Sequence, residues 1–503
     1  MTDDPAAGLE PSERQAVDPE GRPSVSDDPE GRLWETVVGL EVHCELATAT
    51  KLFCGCPNAF GDSPNTNVCA VCLGLPGSLP VLNRQAVELA MSVGLALRCE
   101  VRPSVFHRKN YFYPDMPKDY QVSQYDQPIN VGGHLDLPDG TRVGVTRAHM
   151  EEDTGKTTHV GESGRIHGAD YSLVDYNRAG VPLVEIVSEP DIRSADQAKA
   201  YVNELRAILV AIGASDARME EGSLRIDANV SVRPEGSPTF GTRAEIKNLN
   251  SVRSVGRAVD YEVKRQIGLL EAGEKVVQET RHWNEDAGRT SSMRSKEEAN
   301  DYRYFPEPDL VPLVPSEEWR DAVEARLPAL PADRRRTLAA AAGVSPVDQA
   351  VVAVVALDLD DLVVRAVVGG ADPRLALNRA ANEVAAAHVA PGGVDVAGFT
   401  SVVQMEGDGR LTSTQAKQVL AEVLAGGGDP QNIARARGFE ALEADALLGV
   451  VDQVVADHPT EWARFCEGEQ KLAGFFVGKV MTATRGQADG KVVTARLRQL
   501  AGA

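Results

Sequence analysis

An α+β domain followed by an all-α region is the fold that the sequence predicts, and three observations carry the prediction. Residues 224–233, LRIDANVSVR, alternate so that Leu224, Ile226, Ala228, Val230 and Val232 share one face while Arg225, Asp227, Asn229, Ser231 and Arg233 share the other, as in a strand with one dry side. Residues 37–46, VVGLEVHCEL, and 143–153, VGVTRAHMEED, repeat the pattern. Beyond the proline-rich passage FPEPDLVPLVP at 305–315, Ala, Val, Leu and Glu recur at helical spacing instead.

Taken in order, residues 1–30 are acidic, rich in Pro, Gly and Ser, and nearly free of large apolar groups, so they are expected to form a disordered leader. From about 33 to 315, strand-like alternation is mixed with loops heavy in Gly, Pro, Asn and Asp, which reads as one large α+β unit. Helices interrupt it at 83–97 and at 194–212, the second with Ser194 as a plausible N-cap. In the helical part, GGGDP at 426–430 reads as a helix stop and connector, and roughly 437–503 as a last small helical unit. No internal repeat is visible.

With 503 residues, 43% hydrophobic and 25% charged, the chain can bury several cores. A start without a basic segment followed by an apolar one, and the lack of any apolar stretch of membrane-spanning length, point to a cytoplasmic protein with no membrane partner. The net charge of −22 excludes a protein that coats nucleic acid with its whole surface, so an RNA partner would be met by local basic patches. Cys54, Cys56, Cys69 and Cys72 fall in one window as C-x-C, twelve residues, C-x-x-C, close to zinc-knuckle spacing; the alternative is a set of thiols packed around a loop. Cys44, Cys99 and Cys466 read as small hydrophobes.

The polar faces of the three strands carry the chemistry. Glu41, His43 and Glu45, then Arg147, His149, Glu151 and Asp153, then Arg225 and Asp227 would together make a charged floor, and carboxylates massed there need cations or must give up their charge. Metal-assisted chemistry on an anion follows. His43, Glu151, Glu152 and Glu185 are the metal candidates, with Asp227 and Glu41 nearby; the carboxylates suit Mg²⁺ and the histidine suits zinc or iron, so the donors alone do not choose. Adjacent positions on a strand face opposite ways, which sets Glu151 against Glu152.

TGKT at 154–157 imitates the end of a phosphate loop, but Met150 stands where that loop needs glycine, and no G-x-G-x-x-G turn occurs. FHRKNYFYPDMPKDYQ at 106–121 interleaves Arg108, Lys109 and Lys118 with Tyr111, Phe112, Tyr113 and Tyr120, which offers charges for phosphate and flat faces for bases, or aromatic anchors for a loop. RSKEEANDYRYFPEPD at 294–309 is similar in character. Lys471, Lys479, Arg485, Lys491, Arg496 and Arg498 make the last unit locally basic, either as a solvated face or as a nucleic-acid patch.

GLEVHCEL (39–46), VCLGLPGSLPVLN (71–83), RKNYFYPDMPKDYQVSQ (108–124), HMEEDTGK (149–156), DYNRAGVPLVEIVSEPD (175–191), EEGSLRIDANVSVR (220–233), EIKNLNS (245–251) and DYRYFPEPDL (301–310) resemble, in order, the B subunits of aspartyl/glutamyl-tRNA amidotransferases. The helical part resembles that family's helical and tail domains more loosely. The resemblance implies a cradle-like catalytic domain over 31–325, a helical domain over 326–437 and a tRNA-binding tail over 438–503. It also implies a heterotrimer with an amidase (A) subunit and a small C subunit. In it the B subunit uses ATP and Mg²⁺ to phosphorylate the side-chain carboxylate of Glu-tRNA(Gln) or Asp-tRNA(Asn), and ammonia from the amidase then displaces phosphate. By resemblance His43, Glu152 and Glu185 are the Mg²⁺ ligands, Glu151 and Asp227 near neighbours, and Glu41 the residue at the mouth of the ammonia passage. Arg108 and Lys109 are expected to contact phosphate, and the four cysteines to hold a structural zinc. A freestanding carboxylate–amine ligase and a non-catalytic tRNA-binding scaffold are the competing readings.

Overall fold

A computed structural model describes residues 33–161, 168–293, 302–389, 392–439, 444–484, 488 and 490–501. The leader expected over 1–30 lies outside them. The chain divides into two compact units, Met1–Pro328 and Ala329–Ala503.

The first unit is built on a 12-stranded, mostly antiparallel sheet. Its strands are β1 (Trp34–Glu45), β2 (Glu100–Val101), β3 (Val105–Asn110), β4 (Tyr120–Gln127), β5 (Asn130–Asp136) and β6 (Arg142–Glu152). They continue, after a separate two-stranded ribbon of β7 (Lys156–Gly161) and β8 (Ala169–Asp175), with β9 (Pro182–Ser188), β10 (Leu224–Pro234), β11 (Ala244–Leu249), β12 (Thr280–Asn284), β13 (Arg289–Ser292) and β14 (Phe305–Pro306). The spatial order β13-β12-β11-β10-β1-β9-β6-β4-β3-β14 puts β1 in the middle, with β5 beside β6 and β2 beside β5. All three alternating segments thus become central strands, β10 beside β1 and β6 one strand away across β9.

The dry side of β1 is fully buried at Val38, Leu40, Val42 and Cys44. Each large aliphatic side chain so placed stabilises the fold by about 1.5–3 kcal/mol, which fixes the register and turns Glu41, His43 and Glu45 to the other face. Helices α1 (Arg84–Ala96), α2 (Ala195–Ala211) and α3 (Val252–Glu271) begin at side-chain caps, Asn83, Ser194 and Ser251, of which the sequence predicts Ser194. α1 packs on β5 and β6, α3 on β1 and β10, and α2 against α3. The approach of α1 is close at Gly94, where a Cβ would lie 2.0 Å from Asn130 Oδ1. The Asn130 amide donates to Ala90 O in the helix at 3.0 Å and to Ala148 O in β6 at 2.9 Å, which clamps one to the other.

The proline-rich passage does not end this unit. β14 pairs with β3, Leu313 bridges to Ser104, and α4 (Glu317–Glu324) docks on α1 through Trp319 Nε1 and Arg326, both donating to Glu88 at 2.9 Å. The phosphate-loop mimic is no loop of that kind either, since Lys156 opens strand β7.

The second unit is all-helical and has two cores. Helices between Pro331 and Ala436 bury Leu338, Val363, Phe399, Val402 and Leu420, and those between Ala444 and Ala501 bury Val451, Phe476, Val480, Val493 and Leu497. Within GGGDP, Gly427 ends one helix in a left-handed conformation at φ 70°, and Asp429 caps the next. No described helix is long and apolar enough to cross a membrane.

Candidate active site

Strand register builds the site row by row. His149 of β6, Glu185 of β9, His43 of β1 and Arg225 of β10 are successive cross-strand partners, so their side chains share one face in a single line. Glu151, one step along β6, joins them. His43 Nε2 lies 3.8 Å from Glu151 Oε1 and 3.7 Å from Glu185 Oε2, and these three residues offer ligand atoms all within 4.8 Å of one another.

Burial decides the charge state of this cluster. Desolvation pushes His43 down to about 4, against the pull of Glu185, so its imidazole is neutral and free to use a lone pair. Glu151 is held well above the ordinary carboxyl value, first by burial and then by the Glu185 carboxylate, with Lys109 opposing. Charge on Glu185 thus makes Glu151 costly to ionise. A neutral imidazole and two carboxylates at this spacing fit a divalent metal, whose charge would let Glu151 ionise.

Glu152 is elsewhere. Strand β6 continues through it, so it projects to the reverse face, where it pairs with Lys118 and accepts from Val122 N at 2.9 Å. Its expected place among the metal ligands is corrected on that ground: the strand does not end soon enough to swing both acids to one side. Arg108 and Lys109 part in the same way. Arg108 gives Nε and Nη2 to Glu307, each at 2.7 Å, and is engaged, whereas Lys109 lies on the floor side with Nζ 4.8 Å above the Tyr302 ring.

A second acidic group, Glu41, Asp227 and Glu245, also brings ligand atoms within 4.8 Å of one another. Here Lys247 Nζ sits 2.7 Å from Asp227 Oδ2 and 3.0 Å from Glu245 Oε1, and Glu41 accepts from Asn229 Nδ2 at 2.9 Å. Burial raises Glu41 and Asp227, while the two acids beside Lys247 hold its ammonium well above the usual lysine value. A cavity of about 490 Å³ opens beside Glu41, lined also by Asn229, Ser231, Phe240 and Arg243.

Comparison with known proteins meets this geometry from another side. Residues 36–321 match the model of the GatB/GatE catalytic domain, and residues 362–500 that of the GatB domain. The B subunit of the aspartyl/glutamyl-tRNA(Asn/Gln) amidotransferase from Frankia casuarinae is 52% identical over 480 residues, covering 92% of this chain and 94% of that one. The B subunits from Thermobifida fusca and Mycobacterium tuberculosis are 49% and 50% identical, each covering 93% of this chain and 93% and 94% of theirs.

The chain belongs to the GatB family of amidotransferase B subunits.

Membership fits the sheet domain with its helical continuation, and the floor lies wholly within the matched catalytic domain. Within this GatB fold the four cysteines of the 54–72 window converge, with their sulfurs within 4.8 Å of one another and none in a disulfide. Cys69 N donates to the Cys72 sulfur at 3.1 Å, and the Cys72 thiol is pushed down to about 5, chiefly by its hydrogen bond from Cys54. Four such thiols fit a tetrahedral zinc. Cys54 and Cys72 border a small cavity shared with Lys118 and Glu152, on the face of β6 away from His43.

Arg147 and His149 stand on the floor, as the alternation of β6 predicts, but neither has a separate role assigned from sequence; Lys247 was not singled out, although it alternates with Glu245 in AEIKNL. Tyr125 and Tyr304 come together only through tertiary structure. In the basic tail, Arg496 pairs with Asp452 at 3.0 Å and Lys479 lies over Phe475, while Arg485 falls outside the described residues.

Proposed function

We propose that this chain is the phosphoryl-transfer subunit of a glutamine-dependent tRNA amidotransferase in the cytoplasm, working with an amidase subunit and a small third subunit on Glu-tRNA(Gln) and Asp-tRNA(Asn). The observation that carries the reading is the half-buried His43–Glu151–Glu185 cluster, a site fit for a cation in a family whose relatives are named for this amidation. A side-chain carboxylate is a poor electrophile. Its oxygen attacks the γ-phosphorus of ATP and the bond to ADP breaks; ammonia then attacks the acyl carbon, phosphate leaves with the C–O electrons, and nitrogen loses one proton.

His43, Glu151 and Glu185 would hold Mg²⁺, which when bound opposes charge on the phosphate oxygens. Lys109 adds a cation on the same face. Glu41, beside its cavity, would stand at the mouth of the ammonia passage, with Asp227 paired to Lys247 as its near neighbour. Oxygen-18 in the substrate's side-chain carboxylate tests the chemistry in the assembled enzyme. One labelled oxygen should appear in inorganic phosphate, and its absence during turnover would reject phosphoryl activation.

Two outlying regions complete the reading. Cys54, Cys56, Cys69 and Cys72 would hold a structural zinc, so protein purified without added metal should carry one zinc per chain, and chelation should lower the melting temperature before it lowers turnover. A metal-free chain of unchanged stability would favour packed thiols instead. The catalytic domain is read as 31–325, the helical domain as 326–437 and the tail, 438–503, as a grip on the tRNA body. Removing that tail should raise KM for aminoacyl-tRNA far more than it lowers the rate at saturation, and should flatten the salt dependence of binding.

A further inference from the structure

The cations on the floor fall into two kinds. Arg225 reaches Asp153 at 2.6 Å, Arg178 reaches the same carboxylate at 3.4 Å, and Lys247 holds Asp227 at 2.7 Å. Arg147 and Lys109 have no carboxylate within ion-pair distance among the described residues. Arg147 Cζ instead lies 4.5 Å above the ring of Tyr125, and its Nε is sealed from solvent with no hydrogen-bond partner. Tyr125 stacks on Tyr304 at 5.4 Å and 18°, Tyr304 meets Tyr302 edge-on at 6.1 Å, and Tyr302 carries Lys109. The result is a ladder of three aromatic rings with a cation at each end.

This ladder borders the metal cluster. Tyr125 also meets His149 edge-on at 6.2 Å, and His149 Nε2 is 3.4 Å from Glu185 Oε2. His149 is fully buried with neither ring nitrogen hydrogen-bonded. In a chain of net charge −22, a half-buried guanidinium left without an acid is a conspicuous cost. A planar fork held over a ring, with a sealed donor unused, is suited to a tetrahedral oxyanion.

We infer that Arg147, positioned by Tyr125 and seconded by Lys109, is a phosphate-binding residue of this site, and that the phosphate is that of the nucleotide. The inference rests on the phosphoryl-transfer reading and assigns it a guanidinium. A phosphate of the tRNA 3′ end has the same chemistry, and separate measurements tell the two apart.

The test uses the assembled amidotransferase. Arg147→Ala should weaken binding of Mg·ATP, measured by equilibrium titration without tRNA, about tenfold to a hundredfold, as expected for loss of a charged hydrogen-bonding partner. Arg147→Lys should recover part of the loss, and added guanidinium ion should partly rescue the alanine variant. Unaltered ATP affinity with a raised KM for aminoacyl-tRNA would keep the phosphate subsite and overturn its nucleotide assignment. Both quantities unaltered in Arg147→Ala, with a melting temperature near wild type, would overturn the subsite. If the wild-type complex bound no Mg·ATP at all, the underlying reading would fall, whereas a His43→Ala variant that loses amidation beside an indifferent Arg147→Ala would leave that reading standing and remove only the subsite.

Discussion

Two groups of acids lie on the same face of one sheet, and they differ in where their counter-charge comes from. Glu41, Asp227 and Glu245 have Lys247 built among them. Among the described residues, Glu151 and Glu185 have only the neutral imidazoles of His43 and His149 at ion-pair distance. An ammonium on a flexible stem settles the first group permanently, while the second remains in deficit until a cation is brought from outside. The group with more carboxylates is therefore not the one in greater need of a cation.

The comparison breaks most visibly at the group in deficit. His43→Ala or Glu151→Gln should cut ATP-dependent amidation roughly a hundredfold or more, because charge stabilisation worth several kcal/mol is lost in the transition state. Glu152→Gln, one residue away but on the reverse face, should leave that rate within a few-fold of wild type and show its effect in thermal stability. Normal amidation by His43→Ala at saturating Mg²⁺ would remove the cluster from the chemistry.

A smaller effect is expected where the cation is built in. Lys247→Met should cost about 1 kcal/mol in stability, well below the cost of breaking a fully buried pair, because Lys247 is 39% exposed. More tellingly, the variant should gain a second divalent-ion site at Glu41, Asp227 and Glu245, read as one additional bound Mn²⁺ by paramagnetic titration. An unchanged stoichiometry would mean that the lysine is not what keeps metal away.

The smallest signal is a proton. Glu151 is held above the ordinary carboxyl value of 4.5 in the folded chain, so the metal-free protein binds more protons folded than unfolded. The stability this contributes is present below 4.5 and is lost as pH rises through the raised value. His43, lowered to about 4, acts oppositely, contributing stability above 6.5 that is lost as pH falls towards 4. Metal binding near neutral pH should accordingly expel about one proton per chain, measurable by calorimetry in buffers of different ionisation enthalpy. Binding with no proton release at pH 7 would show that Glu151 is already ionised.

How much of this was legible in advance follows from what alternation can and cannot encode. Period-two patterning placed Glu41, His43 and Asp227 on the wet face, because the dry face of each strand is apolar enough to fix its side. It also carried the warning that Glu151 and Glu152 cannot point together, and the continuous strand through Glu152 resolves it in favour of Glu151. The same rule applied to Arg108 and Lys109 would have separated them. Lateral neighbours are different: Glu185 meets His43 because β9 lies between β1 and β6 in one particular register, and Tyr125 meets Tyr304 across chain segments far apart in sequence. Those facts belong to strand order, which no single segment contains.

The glycine at position 94 has a consequence for how such a site varies through descent. Its missing Cβ lets α1 press on Asn130, whose amide ties the helix to β6 at Ala148, between Arg147 and His149. A methyl group there would push at the back of the strand that carries both residues. Inherited change in the chemistry of the wet face is thus limited from the dry side, by a residue that no substrate ever meets.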